Sequence, residues 1–520
     1  ILLLLVACVN AAGLTIGELP LRCRDVALRA SLGATRARLL GQALAETAII
    51  AGAAGIAGIA LAWAILRTFV AIVVLPRAAS IHFDLRTAVF ALGVAVVAAL
   101  GARLAPILGL HAGANSLRAA ASAHAPTAPR LRQALVTGEL AIAVLVSATA
   151  LLLGGSLRAI LRVDPGFVSS NVVSARVSVH GPAYRTRADI GRFFHSVLTD
   201  LRRTPGIEAA SATSSLPLTD SNVGTSVRVE GSTVPEALRP TAGWQVVKPG
   251  YFATLGLPLV AGRDFTEEDL TRPVHHTVIS EALARELFGN DTAVGRRIAF
   301  GPDGVAPDWH VVVGVVGDVR HVDLTAPPQP RAYDLLGEHA ETTMFVVSQG
   351  TIDAALEAQA IRGAVRRHDA AAPVFEVTTL NRLVADQASP RWVAAGVAVV
   401  VASLTLLLAG IGVYGLLAGA VVARTREIGI RRALGCSESA LLGLLLREGA
   451  WLVGAGAIAG VALARISARW LQSQLYGVAA TDPRAFAAAV MCLITIGLAA
   501  AVVPARRAAR IDPAITLRTE

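Results

Sequence analysis

Residues 424–435 read Arg-Thr-Arg-Glu-Ile-Gly-Ile-Arg-Arg-Ala-Leu-Gly, a basic stretch set between two long apolar runs. The pattern has a twin near the N-terminus. Arg24, Asp25, Leu28, Arg29, Leu32 and Gly33 align with Arg426, Glu427, Ile430, Arg431, Leu434 and Gly435 at one register. The register runs on into the following apolar stretch, where Glu46 meets Glu448, Gly52 meets Gly454, Gly58 meets Gly460 and Leu61 meets Leu463. It also extends backwards, pairing Leu5, Ala7 and Gly13 with Leu407, Ala409 and Gly415. A register held over several helical turns predicts an internal duplication of a membrane module.

Composition points the same way. Of 520 residues, 54% are hydrophobic and only 16% charged, against roughly 25% charged in soluble domains. Several apolar runs reach the ~20 residues that cross a bilayer. The net charge is +10, and Lys248 is the single lysine. The arginines gather beside apolar runs, which membrane topology explains better than nucleic-acid binding does. Cys8, Cys23, Cys436 and Cys492 form no CxxC pair and none lies in the polar insert, so neither a disulfide framework nor a cysteine metal site is expected. The opening Ile-Leu-Leu-Leu-Leu lacks both Met and a basic lead-in. It reads as a span entered part-way rather than as a signal peptide, and predicts a longer parent protein.

About seven spans are expected in these residues: the tail of one over 1–14, then 46–72, 88–110, 134–158, 393–422, 445–466 and 485–504. Residues 1–110 form the last three spans of a first module and 111–133 a linker carrying Pro126 and Pro129. Residues 134–158 open a second module, 159–391 form a large insert, and 392–520 supply three spans and a basic tail. Asp84, Arg86 and Pro106 recur at a common offset as Asp482, Arg484 and Pro504. Residues 15–45, 111–133, 423–444 and 505–520 carry the arginine excess, so the positive-inside rule puts all four in the cytoplasm and the insert on the opposite side.

The insert is expected to be an α+β domain, with strands near 172–179, 208–214, 277–280, 309–319, 343–348 and 374–378. Helices are expected over 187–203, from 280 to 288, and over 352–367. Ile190, Phe193, Phe194, Val197 and Leu201 line one face of the first of these. The repeated strand–helix–strand order suggests two subdomains of split βαβ type.

No motif announces catalysis. Gly410, Gly412 and Gly415 spell GxGxxG, but inside an apolar run far too long for the strand that a dinucleotide fingerprint requires. Helix packing is the better reading, as it is for Gly456 and Gly460. There is no GxxxxGK[ST] phosphate loop, no HExxH and no GxSxG. His275, His276, His310, His321, Asp318 and Asp323 show no metal-ligand spacing and read as surface residues. Glu46 and Glu448 open equivalent spans, either as interfacial carboxylates beside arginines or as proton carriers. The 424–435 stretch itself has two readings: a helix lying on lipid phosphates, or a docking helix for a cytoplasmic partner. The matched second copy favours docking.

These residues resemble the MacB/FtsX-like ABC-transporter permeases. The likeness is carried by the Arg-Glu-Ile-Gly-Ile-Arg-Arg-Ala-Leu-Gly segment and by residues 504–513, Pro-Ala-Arg-Arg-Ala-Ala-Arg-Ile-Asp-Pro, followed by Leu517 and Arg518. The insert is similar to the MacB-like periplasmic core domain. That likeness rests on residues 251–265 (Tyr-Phe-Ala-Thr-Leu-Gly-Leu-Pro-Leu-Val-Ala-Gly-Arg-Asp-Phe), 295–298 (Gly-Arg-Arg-Ile) and 312–319 (Val-Val-Gly-Val-Val-Gly-Asp-Val). The doubled arrangement resembles the duplicated orphan permeases (ADOP-type subgroup), here without most of the first span and the first periplasmic domain.

The resemblance implies a four-span module with a periplasmic domain after its first span, in an α-helical bundle of the inner membrane surrounded by lipid. It implies a separate cytoplasmic ABC ATPase, a periplasmic or outer-membrane partner, and no cofactor. Arg426, Glu427, Ile430, Arg431, Leu434 and Gly435 match the coupling segment that touches the ATPase. In the first copy Ala27 stands for Gly429 and Ala30 for Arg432. The expected function is a non-catalytic permease subunit that relays ATP-driven motion to the periplasmic side. A membrane-anchored binding or signalling protein without an ATPase, and a proton-coupled transporter using Glu46 and Glu448, are the alternatives. Antibiotics, peptides and lipoproteins all fit as substrate.

Overall fold

The computed structural model describes Ala7, Asn10 and residues 35–72, 84, 86–94, 96–97, 127–219, 224–271, 274–302, 306–335, 341–423, 427, 430–431, 434 and 436–509. Most of the expected spans over 1–14 and 88–110, and the first copy of the basic stretch, lie outside these residues.

In chain order the elements are α1 (Arg36–Ile72), α2 (Thr127–Ile160), β1 (Val172–Ser178), α3 (Arg187–Arg202), β2 (Ile207–Thr213), β3 (Gly224–Val229), β4 (Thr241–Val247) and α4 (Tyr251–Thr254). Next come β5 (Leu259–Gly262), β6 (His275–Ser280), α5 (Glu281–Phe288), β7 (Arg297–Phe300), β8 (Trp309–Val316), β9 (Arg331–Leu335), β10 (Thr343–Gly350), α6 (Ala354–His368) and β11 (Val374–Thr379). The chain closes with α7 (Leu380–Ala423), α8 (Glu438–Leu471) and α9 (Pro483–Ala509). Contacts divide it into two compact units, residues 1–159 with 389–520, and residues 160–388.

In the first unit, five segments among the described residues are long and apolar enough to cross a membrane: Leu44–Thr68, Gln133–Ile160, Leu380–Val422, Ser439–Gln474 and Pro483–Arg506. Helices α2, α7, α8 and α9 share one core, with Leu140, Val144, Val413, Leu417, Val453 and Leu493 among its members. Trp451 (78% exposed) and Trp470 (71%) stand on the outer faces, as expected of rings that sit at a lipid interface. The turn between α8 and α9 is tied to the end of α2, where the Tyr476 N–H donates to Ser156 Oγ at 2.9 Å.

The second unit is one 11-stranded sheet in the order β11-β1-β10-β2-β4-β3-β7-β8-β6-β9, with β5 on β8 and β4 also paired to β9. It falls into two lobes. The first, β11-β1-β10-β2, is a double split βαβ: α3 links β1 to β2, which flank β10, and α6 links β10 to β11, which flank β1. Its core joins Ile190, Phe193, Phe194, Val197 and Leu201 of α3 to Ile361 and Val365 of α6. Each side chain of this size contributes about 1.5–3 kcal/mol on full burial. A capping box fixes the start of α3, with Thr186 and Asp189 bonding each other's backbone N–H.

The second lobe corrects the expectation of a second split βαβ unit. Strands β4, β3, β7, β8, β6 and β9 form a closed ring, because the parallel β4–β9 pairing from Gly243↔Arg331 to Val247↔Leu335 joins its ends. Closure leaves no free edge within the ring. Val227, Ala242, Ile279, Ile298, Val312 and Ala332 fill its core. The lobes meet where β2 pairs with β4 at Thr213↔Val247, flanked by the bonds Ser214 N–H to Val246 O and Lys248 N–H to Ala212 O, both at 2.8 Å.

The loop after β5 is clamped by one carboxylate. Asp269 is 4% exposed and takes a bidentate pair from Arg263 at 2.6 and 2.9 Å. It also accepts the Thr266 N–H at 2.9 Å and faces His276 Nδ1 at 2.9 Å. Burial alone would raise the Asp269 carboxyl, but the bonds from Arg263 and Thr266 outweigh it and hold the group well below the usual carboxylate range. Its stabilisation is therefore fully present above the ordinary carboxyl pKa of about 3.9 and is lost only as pH falls further, through the depressed folded value. We predict that Asp269→Asn destabilises the insert by about 3 kcal/mol. Native-state proteolysis of the full chain in detergent should then speed up about a hundredfold at pH 7, with the gap unchanged at pH 5. A change under about threefold would show that the clamp contributes little.

Candidate functional site

The second basic stretch is described at Glu427, Ile430, Arg431 and Leu434. These form a helical turn. Leu434 N–H donates to Ile430 O at 3.0 Å, and Cys436 N–H to Arg431 O at 3.0 Å. Arg431 pairs with Glu427 one turn back at 2.6 Å. Ser437 then caps α8 by accepting the Ala440 N–H. Ile430 is 43% exposed and Leu434 82% exposed, so two large apolar side chains meet solvent beside an ion pair. Arg426 and Gly435 lie outside the described residues, as do Arg24, Asp25, Leu28, Arg29, Leu32 and Gly33.

In the two helices on either side of this turn, α7 and α8, the glycines singled out in the sequence sit where helices approach closely. A Cβ on Gly456 would collide with Leu140 of α2, and one on Gly460 would lie 2.6 Å from Val144 Cβ and 2.8 Å from Ala141 O. A Cβ on Gly410 would meet Ile496 at 3.0 Å, and one on Gly412 would meet Glu139 Oε2 at 2.6 Å. Gly415 is buried.

Glu139 is the residue that the sequence reading missed. It is 2% exposed in the first half of α2. Asn10 Nδ2 donates to its Oε1 at 2.6 Å and to Leu408 O at 2.7 Å. Its Oε2, against Gly412, has no hydrogen-bond partner among the described residues. The signal was available: it is the one carboxylate inside the apolar run 134–158. Glu46 is exposed and accepts from Gln42 at 3.4 Å, while Glu448 is half-buried.

The histidines of the insert need a second correction. Expected on the surface, His276, His310 and His321 are 8%, 3% and 3% exposed. His321 lies against Tyr333, and burial lowers it well below the usual histidine value. Tyr333 in turn packs edge-on to Phe252 at 5.1 Å, and Phe252 stacks on Phe265 at 6.1 Å. The 251–265 motif is thus an aromatic cluster followed by the Arg263–Asp269 clamp. Gly262 (φ +77°) lies where a Cβ would strike the Val313 carbonyl. Asp318 caps α5, accepting the Ala282 N–H at 2.6 Å and pairing with Arg285 at 2.7 Å. Lys248 is 3% exposed, and burial pushes it down to about 8, with the Glu267 carboxylate acting the other way.

Comparison with known proteins gives these features a family. The FtsX-like permease C-terminal family matches residues 1–111 and again 399–513. The MacB-like periplasmic core domain matches residues 140–363. The pyoverdine export ATP-binding/permease protein PvdT of Pseudomonas savastanoi is 28% identical over 274 residues, 52% of this chain and 41% of the relative. The ABC transporter permease YknZ of Bacillus subtilis is 25% identical over 287 residues, 53% of this chain and 69% of the relative. The matched part thus spans about two fifths of the former. The periplasmic region of MacB from Actinobacillus actinomycetemcomitans aligns over 43% of this chain and 95% of its own, at 14% identity and a TM-score of 0.30. With permease matches at both ends and a periplasmic core match between them, the chain belongs to the MacB/FtsX-like family of ABC transporter permeases.

Proposed function

We propose that this chain is the permease part of an ABC-type export or mechanotransmission system, and that it relays the motion of a separate cytoplasmic ATPase to its periplasmic domain. The observation that carries this reading is the turn from Glu427 to Leu434, which offers two exposed apolar side chains and an ion pair at the foot of α8. Residues that dock on a partner combine such an apolar centre with charges that steer association. Export also fits the relatives, whose names link pyoverdine and macrolides to proteins that join ATP binding and permease.

We further propose that the chain holds two copies of the module, the first within residues 1–110 and the second in 134–158 with 392–520, around a periplasmic domain at 159–391. Beyond the repeated register, both copies use the same helix-starting turn. Arg86 N–H donates to Asp84 Oδ1 at 3.2 Å, and Arg484 N–H to Asp482 Oδ1 at 2.9 Å.

A proton-coupled transporter is the second reading. The specific observation in its favour is the buried Glu139, a more sheltered carboxylate than Glu46 or Glu448.

Two experiments separate these. Replacing Arg426 and Arg431 by Glu in the full-length protein should reduce stimulation of the ATPase by at least about tenfold while membrane insertion stays intact. Unchanged stimulation would mean that the turn rests on lipid. Glu139→Gln keeps an acceptor for Asn10 and removes the titrating proton. Under the permease reading it leaves ATPase stimulation within about twofold of wild type. Proton-driven transport in proteoliposomes that Glu139→Gln abolishes, with no ATPase stimulated by the wild-type chain, would favour the proton-coupled reading.

A further inference from the structure

One contact inside the membrane unit joins the two copies of the repeat. The register that pairs Leu5 with Leu407 and Gly13 with Gly415 puts Asn10 at the position that Gly412 holds in the second copy. The structure brings these two positions together. A Cβ on Gly412 would lie 2.9 Å from Asn10 Oδ1 and 2.6 Å from Glu139 Oε2. In a two-fold pair, a residue meets its own counterpart only beside the axis that relates the copies. Asn10 and Gly412 therefore mark that axis.

The chemistry at this point runs one way. Asn10 is 7% exposed and Glu139 2%. The Asn10 amide has two N–H groups, and both go to the second copy. One is donated to Glu139 Oε1 of α2 at 2.6 Å, the other to the Leu408 carbonyl of α7 at 2.7 Å. Apolar spans can slide past one another or change partners at little cost. A hydrogen bond between buried polar groups forms in one arrangement only, and so fixes register and partner.

The two copies are not interchangeable here. A second copy set against another second copy would place Gly412 opposite Gly412, and Glu139 would lose its amide donor. An asparagine at position 412 would not repair this, because its Cβ would run into Glu139 Oε2. The carboxylate thus fits a span that carries an amide, laid against a span that carries no side chain.

We propose that Asn10 is the docking residue of the first copy, held by Glu139 and the Leu408 carbonyl, and that this contact selects pairing of a first copy with a second over pairing of two second copies. The inference rests on the two-copy reading given above. It adds which spans meet at the axis and which partner each copy takes.

The test uses the full-length protein with a protease site in the 111–133 linker and an affinity tag after residue 520. The protein is bound to resin in detergent and cleaved, and the fraction of the first-copy fragment that stays on the resin is followed in time. Wild type should retain it, and native mass spectrometry of the eluate should show one fragment of each kind. Asn10→Leu and Glu139→Leu should each speed its loss by at least about tenfold. Glu139→Gln keeps an oxygen for the Asn10 amide and should stay within about threefold of wild type. The double variant Asn10→Leu with Glu139→Leu should lose the fragment no faster than the faster single variant, as expected of two partners in one contact. Membrane insertion and the proteolysis pattern of the insert, measured in each variant, should match wild type and so separate loss of pairing from loss of folding. Full retention in both leucine variants, or losses that simply add in the double variant, would overturn the contact and leave the two-copy reading standing. Wild-type fragments that part on cleavage, or an eluate holding two second-copy fragments, would overturn both.

Discussion

Lipid exerts no hydrophobic pressure between two apolar helices, so spans hold together only where their surfaces fit closely. In this chain that fit is made by the absence of side chains. Gly456 and Gly460 let α8 lie against Leu140, Ala141 and Val144 of α2, and Gly412 lets α7 approach Glu139 of the same helix. Helix α2 is therefore the member against which the others are set. The insert follows α2 in sequence, and the exposed Glu427–Leu434 turn stands at the foot of α8. Both regions tied to the proposed relay thus adjoin helices fixed by the same glycine contacts.

The insert solves a different problem with polar groups. Its second lobe buries Arg331, Asp334, His310 and Asp269. Buried charges are tolerated where they are paired and hydrogen-bonded. Asp269 meets that condition fully, whereas Asp334 meets it on one oxygen.

Much of this was legible in the sequence. Helix α3 announces itself by Ile190, Phe193, Phe194, Val197 and Leu201 at helical spacing, and β8 by a run of valines. Strands β3, β4, β5, β7 and β9 were not visible for identifiable reasons. Strands β5 and β7 have four residues each, too few for an alternation to register. Strand β9 reads Arg-Ala-Tyr-Asp-Leu and looks exposed, yet it is wholly buried because the ring closes over it. The same closure buries His310, whose apparent isolation in sequence hides a neighbour, His275, that only strand pairing supplies. Glu139 escaped for the opposite reason: one carboxylate in an otherwise apolar run changes neither its length nor its periodicity. The stretch proposed to couple to the ATPase stands out in the sequence through repetition, a signal independent of any single side chain.

That repetition carries the central claim, that one chain supplies both permease halves to an ATPase pair, as two identical subunits do in a symmetric dimer. The most direct measurement is native mass spectrometry of the full-length protein with its ATPase. The account predicts one permease chain with two ATPase subunits. A stable complex of two permease chains with two ATPase subunits would contradict it.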